Sequence, residues 1–518
     1  MHGDDVPVLI VGGSLVGLST SLLLASKGVP SLTVERHPGT AIHPRAAMFN
    51  QRTIEVYRSV GLEAEIVEAS GREFEQDGAI VSVETLAGRE LEYYFRNVNE
   101  GYESLSPSPR LFITQIGLEP ILRSRAEELG ARLEYSTELV SLDQDEDGAT
   151  ALVRNRDTGA ERTVRACYVV GADGSKSPVR ERLGIGLRGR PSFSKCITIY
   201  FRADVKALLG DRNLSVIYVF GPTLQGFFRF SLAGDAGFLV VNSTTDADGA
   251  RNRDVSADMS GERCIEYVRE ALGVPALAVE IENVQQWNAC ADWAERFQDG
   301  RVFLAGDAAH NMPPTGGFGG NAGVADAHNL AWKLARVLDG SAGPALLETY
   351  DAERRPVAEF TVEQAYTRYV VRLDPELGTD DIQPFVPDPL IELGHRYHSS
   401  AVVAESDSDG AIHENPHEPS GRPGTRAPHV ALDDGSTLDL FGPDFVVLSA
   451  SDDWCRAAKA ASLEARRIES SRFEEAYGVG AEGAVLVRPD GFIAWRARAA
   501  QGDGERALSS ALAQILGR

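Results

Sequence analysis

Apolar residues run unbroken from Val6 to Val11 and, past Gly12, Gly13 and Ser14, recur at helical spacing as far as Lys27. A short apolar run bounded by turn residues reads as a strand buried on both faces, and the periodicity after it as a helix. Gly28 ends that helix, and a second strand is expected over Ser31 to Val34, closing on Glu35. A helix over Asn50 to Ser59 follows, then strand-type alternation from Phe74 to Phe95 and a polar, proline-containing loop from Asn97 to Arg110. Ile113 to Gln115 reads as a short strand and Leu118 to Leu129 as a helix. Arg132 to Leu142 and Thr150 to Asn155 form a hairpin about Asp145 to Gly148. The apolar strand Ala166 to Val170 then runs into Gly171, Ala172, Asp173 and Gly174, with a helix expected over Ser177 to Leu183.

From Pro191 to Trp287 the pattern becomes strand-rich and aromatic, with strands at Ile197 to Arg202, Leu214 to Phe220, Gly226 to Leu232 and Gly237 to Asn242, and a helix at Gly261 to Leu272. This predicts an antiparallel sheet with one face lying over a ligand. A short strand at Val302 to Ala305 leads to a Gly-Asp corner and a glycine cluster. Helices over Ala322 to Leu338 and Leu346 to Tyr369 follow. Leu373 to Pro389, rich in proline and acid, reads as a linker, and Glu405 to Arg426 as a polar loop. Strands at Leu438 to Phe441, Phe445 to Ser449, Ala484 to Val487 and Ile493 to Trp495, with helices at Asp453 to Glu464 and Glu505 to Leu516, suggest a separate small βαββα domain.

Composition narrows the ligand. A chain of 518 residues, 43% of them hydrophobic, has room for roughly three globular domains. A formal charge of −25 argues against nucleic acid or an anionic membrane as partner, since both select a basic face, and leaves a small molecule. The five cysteines are scattered and lack metal-ligand spacing, so neither a metal site nor a disulfide framework is expected. No apolar run approaches the ~20 residues of a membrane span, and a cytoplasmic location is the expectation. A homodimer is left open.

Three stretches carry candidate chemistry. The first is strand, Gly12, Ser14, Leu15, Gly17, helix, strand and Glu35, which is the order of a dinucleotide fingerprint: a pyrophosphate on the helix N-terminus, an acid on the ribose. Ser14 stands where the fingerprint has its middle glycine. Arg36 and Arg45 flank the adenosine end, and Gln115 is a polar group beside it. The second stretch presents Asp173, Gly174 and Arg180 where a strand ends. The third runs from Arg301 to Asn321, with Gly306 and Asp307 at its corner, then Pro314, Gly316, Gly317, Gly319, Gly320 and Asn321. Glycines let the main chain approach a ligand closely, and the helix N-terminus over Gly320 to Ala322 suits developing negative charge. Among the aromatic residues of the sheet, Tyr218 is the candidate for a pocket. His310 reads as structural.

GGSLVGL with Glu35, GADGSKSPVR and RVFLAGDAAHNMPPTGGFGGN, in this order, resemble the three signatures of the single-component flavoprotein aromatic hydroxylases. VERHPGTAIHPRA, LGIG, PPTGGFGGNAGVADAHNLAWKLA, LFG and VLVRPDG resemble the actinomycete hydroxylases of aromatic polyketides such as anthracyclines. That resemblance covers nearly the whole chain. It implies an α/β fold: a Rossmann-like FAD-binding domain (residues 1–73, 111–188 and 287–375), an inserted antiparallel-sheet substrate domain (74–110 and 189–286) and a thioredoxin-like C-terminal domain (390–518). In that last domain Trp454 and Cys455 open a WCxxC-like string, but Ala458 stands where the second thiol would be, so dithiol chemistry is not expected.

The resemblance further implies FAD with its pyrophosphate at Gly12 to Gly17, its ribose at Glu35, Asp307 on the pyrophosphate and ribityl region, and its ring under Pro314 to Gly319. Asp173 and Arg180 would serve both FAD and a nicotinamide donor. NAD(P)H would reduce the flavin, O₂ would add to give a C4a-hydroperoxide, and one oxygen would pass to a phenolic ring. The glycines at 316, 317, 319 and 320 would let the flavin ring move. Tyr218 and Arg396 match positions where related enzymes place polar pocket groups that polarise a phenol oxygen. Baeyer–Villiger or epoxidising chemistry, or hydroxylation of a smaller ring, are the alternatives on the same scaffold.

Overall fold

A computed structural model of the chain describes residues 5–42, 46–221, 224–244, 254–500 and 502–518. Its first sheet forms around the apolar run at the start of the chain. Val6–Val11 pairs in parallel with Ser31–Val34 on one side and Glu161–Gly171 on the other, Val302–Leu304 lies beyond Glu161–Gly171, and Arg132–Glu134 lies beyond Ser31–Val34. The hairpin Thr137–Gln144 and Ala149–Asn155 continues antiparallel from Glu161–Gly171, as the Asp145 turn requires. Leu9, Ile10, Val169, Val170 and Phe303 are fully buried, because the helices Leu15–Ala25, Phe318–Leu338 and Ala345–Arg372 belong to the same core. A parallel strand covered on both faces needs this continuous apolar run rather than an alternating one.

Register decides what this sheet presents. Val11 lies opposite both Val34 and Gly171, and Gly171 lies opposite Leu304. Four strands, from three distant parts of the chain, therefore end level with one another. Gly12, Glu35, Asp173 and Gly306 follow those ends at one carboxyl edge, the place where open α/β sheets bind ligands.

The second sheet has eight strands, in the order His310–Asn311, Glu280–Ala294, Leu187–Arg202, Ala236–Asn242, Gln225–Phe230, Leu214–Phe220, Ala79–Val83 and Glu90–Phe95. It departs from the antiparallel expectation at one pair. Ala79–Val83 runs parallel to Leu214–Phe220, being delivered from the first domain by a long connection rather than a hairpin. Alternation along the strands gives the sheet two apolar faces. Ile199, Phe201, Ile217, Val219, Phe228 and Leu239 pack with Val268 and Leu272 of the helix Gly261–Leu272. Tyr218, Phe227, Cys196 and Trp287 point the other way, toward Tyr369 and Leu373 at the end of Ala345–Arg372. The site lies on that second side.

Glu464–Arg467, Val446–Ser449, Ala484–Val487 and Ile493–Ala497 form a third sheet of four strands in that order. It holds one strand, Glu464–Arg467, and one helix, Ser471–Tyr477, more than the sequence pattern predicts, because neither is apolar enough to stand out. Two short segments differ from expectation. Thr437–Leu440 is a single 3₁₀ turn rather than a strand, closed by a Ser436 and Asp439 capping box. Gln115 opens the helix Gln115–Glu128, capped by Thr114, rather than ending a strand.

Candidate functional site

The first signature closes as its glycines require. A Cβ on Gly12 would stand 2.2 Å from the Ala172 carbonyl oxygen, and one on Gly17 would stand 1.8 Å from the Gly12 carbonyl oxygen. Only glycine lets the helix sit this close to the strand, and Gly12 also has φ +106°. Glu35 is buried and accepts from the Gly13 amide at 2.7 Å and from the His37 amide at 2.9 Å. Arg36 is exposed, its carbonyl accepting from Arg156 at 2.8 Å. Arg45 lies outside the described residues.

The helix N-terminus is not wholly open. Glu119, fully buried, accepts from the Leu15 amide at 2.9 Å, the Ser14 hydroxyl at 2.5 Å and the Ala41 amide at 2.7 Å. Gln115 donates to Glu119 at 3.0 Å and to Ser14 at 3.3 Å, while accepting from the Ala46 amide at 3.0 Å. Ser14 therefore has a structural use that glycine could not fill. Sequence reading passes over Glu119, although Gln115 and Glu119 lie four residues apart on one helical face. Among the described residues no side chain accepts from the amides of Ser14, Val16 or Gly17.

The second and third signatures lock onto the first. The Asp173 carboxylate accepts from the Ser177 hydroxyl at 2.5 Å and the Val179 amide at 2.9 Å, so it caps the short helix Pro178–Arg182; burial raises its pKa. Gly174 supplies the positive φ of that turn, +84°. Arg180 is buried and donates to the Ala308 carbonyl at 2.9 Å and the Ser175 carbonyl at 2.9 Å, tying the second signature to the Asp307 corner. Cβ atoms on Gly306 and Gly323 would stand 2.7 and 2.5 Å from Val16. Asp307, one residue from that contact, is exposed among buried neighbours.

The helix of the third signature begins earlier than expected. It spans Phe318–Leu338 with Gly317 as N-cap at φ +68°, so its first-turn amides belong to Phe318, Gly319 and Gly320 rather than to Gly320 to Ala322. Gly316, φ +94°, and the exposed Pro314, whose carbonyl accepts from the Gly317 amide at 2.9 Å, form the turn before it. Asn321 is spent on structure: it accepts from the Asn50 amide at 3.0 Å and the Thr53 hydroxyl at 2.6 Å, and donates to Gly317 at 2.7 Å. His310 is structural too, bonded to Asp326 at 2.7 Å.

Across from these loops stands the aromatic face of the second sheet. Tyr218 lies edge-on to Tyr94, with ring centroids 5.7 Å apart, and 6.0 Å from Phe227. Burial raises the pKa of its hydroxyl, and the Arg372 cation works against that shift. Arg372 is 6% exposed and sits 4.7 Å over the Tyr94 ring, with no carboxylate paired to it among the described residues. Arg229 lies between the rings of Phe74 at 3.7 Å and Phe112 at 4.0 Å and donates to the Ala47 carbonyl at 3.0 Å. Its Nε and Nη2 have no partner among the described residues, and burial pushes the guanidinium down to about 9. Arg396, expected beside Tyr218, pairs instead with Asp409 at 2.6 Å; the backbone bridge to Thr425 fixes it in the chain leading to the C-terminal sheet. The cation beside Tyr218 is Arg372. The signals for these cations were an arginine ending a long helix and one interrupting the aromatic run GFFRF.

A family profile described as FAD binding domain matches residues 5–365, and one described as aromatic-ring hydroxylase, C-terminal, matches residues 420–518. The chain is 51% identical to a 4-methyl-5-nitrocatechol 5-monooxygenase of Burkholderia sp, covering 99% of this chain and 98% of that one. It is 40% identical to the aklavinone 12-hydroxylase RdmE of Streptomyces purpurascens, covering all of both. Among solved structures, a ternary complex of aklavinone-11 hydroxylase with FAD and aklavinone superposes with a TM-score of 0.94 at 39% identity over the full length of both chains.

Proposed function

The chain belongs to the FAD-dependent aromatic-ring hydroxylases, and from that membership we propose that it places one oxygen atom of O₂ on a phenolic ring held between Tyr218, Arg372 and the third signature. FAD, reduced by NAD(P)H, supplies the oxygen-activating chemistry when bound. The observation that carries the assignment is the convergence of Gly12, Asp173 and Gly306 at one sheet edge, packed so closely that a Cβ on Gly12, Gly17, Gly306 or Gly323 would collide with its neighbours. The first-turn amides of Val16 and Gly17 and those after Gly317, which meet no side-chain acceptor among the described residues, fit a pyrophosphate and an anionic ring edge.

The chain's own residues divide the work. Gly12, Ser14, Leu15, Gly17 and Glu35 shape the pyrophosphate and ribose end, with Glu119 and Gln115 bracing it. Asp307 meets the pyrophosphate and ribityl region, and Gly316, Gly317, Gly319 and Gly320 leave room for the ring. Arg180 holds the Asp307 corner, and Arg229 offers two guanidinium nitrogens without partners among the described residues to whatever anion lies between the two domains. Arg372 and Tyr218 hold a substrate phenol oxygen, and the Arg372 charge favours its ionised form, whose ring is the more electron-rich. An electron-rich ring attacks an electrophilic oxygen faster, so this pair raises reactivity as well as fixing orientation.

The proposed domains are residues 1–73, 111–188 and 287–375 for FAD, 74–110 and 189–286 over the substrate, and 390–518 as a thioredoxin-like domain, with the second sheet crossing these bounds through Leu187–Arg202, Glu280–Ala294 and His310–Asn311. The β-α-β-α-β-β-α order of that last region, with one parallel and two antiparallel pairs, supports the comparison. On substrate, an aromatic polyketide and a smaller catechol-type ring are both carried by the family. The 51% relative, named for a nitrocatechol, favours the smaller ring.

The test is a substrate panel of methylated and nitrated catechols beside anthracyclinones, read by NAD(P)H consumption and by product mass under ¹⁸O₂. A gain of one labelled oxygen is expected; a colourless protein that refuses FAD would overturn the proposal. Asp307→Ala is expected to lose FAD on gel filtration. Stoichiometric FAD in that variant would refute the placement of the third signature.

A further inference from the structure

We infer that the turn Arg488–Asp490 of the C-terminal region positions the FAD-binding corner at Gly306 through a buried relay, so that Arg354, Tyr397 and Arg488 are positioning residues for the cofactor. The inference rests on the proposed placement of FAD at the third signature.

The relay starts at the corner itself. The Asp326 carboxylate accepts from the Gly306 amide at 3.0 Å and holds His310 at 2.7 Å, and its other oxygen accepts from Arg354 Nε at 2.7 Å. Arg354 also donates to the Ala322 carbonyl at 3.2 Å, just past the first turn of the helix that faces the cofactor, and to the Tyr397 hydroxyl at 3.1 Å. The Tyr397 ring stacks on Phe492, centroids 4.1 Å apart, and the Arg488 cation lies 5.5 and 5.8 Å from those two rings. Arg488 closes the path through both carboxylate oxygens of Glu353, at 2.6 and 3.0 Å, and through Asp490 at 2.9 Å. Glu353 and Arg354 are neighbours on one helix. One faces the C-terminal region, the other faces the flavin corner.

Charge bookkeeping explains why this is more than adhesion between domains. Lys333, Arg354 and Arg488 balance Asp326, Glu353 and Asp490, and all six are 1% exposed or less. Buried ion pairs often add no stability over an apolar interface of equal volume, because desolvation offsets attraction. What they do impose is geometry, since each group tolerates only partners at fixed distance and direction. The geometry fixed here ends on the Gly306 amide.

Two variants probe the path without removing a charge. In the full-length protein, Tyr397→Phe deletes only the hydroxyl that receives Arg354, and Phe492→Leu deletes the stack from the C-terminal side. For each, amide hydrogen exchange of the segment 303–322 is followed in the FAD-free protein, and FAD affinity is measured by fluorescence quenching. Faster exchange confined to that segment, with a roughly five-fold weaker affinity and an altered flavin absorption band, is expected. Arg488→Lys is expected to keep most of the affinity that Arg488→Met loses. Wild-type exchange and affinity in both Tyr397→Phe and Phe492→Leu would overturn the inference. So would unchanged FAD affinity in these variants if Asp307→Ala loses FAD. Should Asp307→Ala keep FAD while exchange at 303–322 still quickens, the cofactor placement fails and the relay stands.

Discussion

The Glu119 carboxylate accepts the Leu15 amide at 2.9 Å, across 104 residues of chain, so the helix that opens the dinucleotide fingerprint is capped by a buried anion from another helix. A carboxylate on first-turn amides satisfies orphan donors and complements the helix dipole. Glu119→Gln replaces one acceptor oxygen with a donor, which then faces either the Leu15 or the Ala41 amide. The variant is expected to lose ~1–3 kcal/mol in urea unfolding of the FAD-free protein. A shift within error would show the cap to be dispensable.

Arg372 and Tyr218 are expected to separate by kinetics. Tyr218→Phe should leave FAD bound and lower the fraction of NAD(P)H consumption that yields product. Arg372→Gln removes the cation beside Tyr218 and should reduce the hydroxylation rate by roughly ten- to a hundred-fold, with a weaker effect on flavin reduction. Stopped-flow measurement of the two half-reactions distinguishes the outcomes. Equal losses in both would place these residues outside the oxygen-transfer step.

Arg229 buries two nitrogens that have no partner among the described residues, a state the fold gains nothing from unless an anion arrives. Arg229→Met is expected to leave the FAD-free protein as stable as wild type or more so, while FAD raises the melting temperature less in the variant. Differential scanning calorimetry with and without FAD measures both. A destabilised FAD-free variant with the full FAD-dependent shift would mean that the Phe74 and Phe112 sandwich, rather than a ligand, explains the arginine.

His395 gives a pH dependence of definite sign. Burial, reinforced by Arg354, lowers its pKa to about 3, so the folded protein keeps it neutral where the unfolded chain protonates near 6.5. Between those values the unfolded state binds the extra proton, and stability falls as pH falls. From about pH 7 to about pH 5 this amounts to at most ~2 kcal/mol. Glu392, raised to about 7 chiefly by burial, contributes with the opposite sign, so the comparison that decides is wild type against His395→Gln. Chemical unfolding at both pH values should show a smaller loss in the variant, and an equal loss would refute a neutral buried His395.

Elements whose patterns are strong were legible in the chain. Val6–Val11, Ser31–Val34, Ala484–Val487 and the helix Gly261–Leu272 fall where their spacing puts them. The segments that were missed, such as Glu464–Arg467 and Glu280–Ala294, mix polar and apolar residues and become strands only because a neighbour supplies the partner. Tertiary context overrides propensity there.

The sequence by itself determined that three glycine-rich strand ends exist, that two of them carry an acid while Glu35 closes the strand after the first, and which family they resemble, because turn chemistry and local periodicity are written in adjacent residues. Only the tertiary structure decided that those ends lie level at one sheet edge, since strand register is set by pairing between distant segments. It also decided which polar groups are used up. Asn321, Asp173 and Ser14 are spent on capping and bracing, Arg396 is drawn to Asp409, and Arg372 and Arg229 are left buried without a paired carboxylate among the described residues. Whether a charge is paired depends on what packing brings within a few ångströms of it, and no spacing along one chain records that.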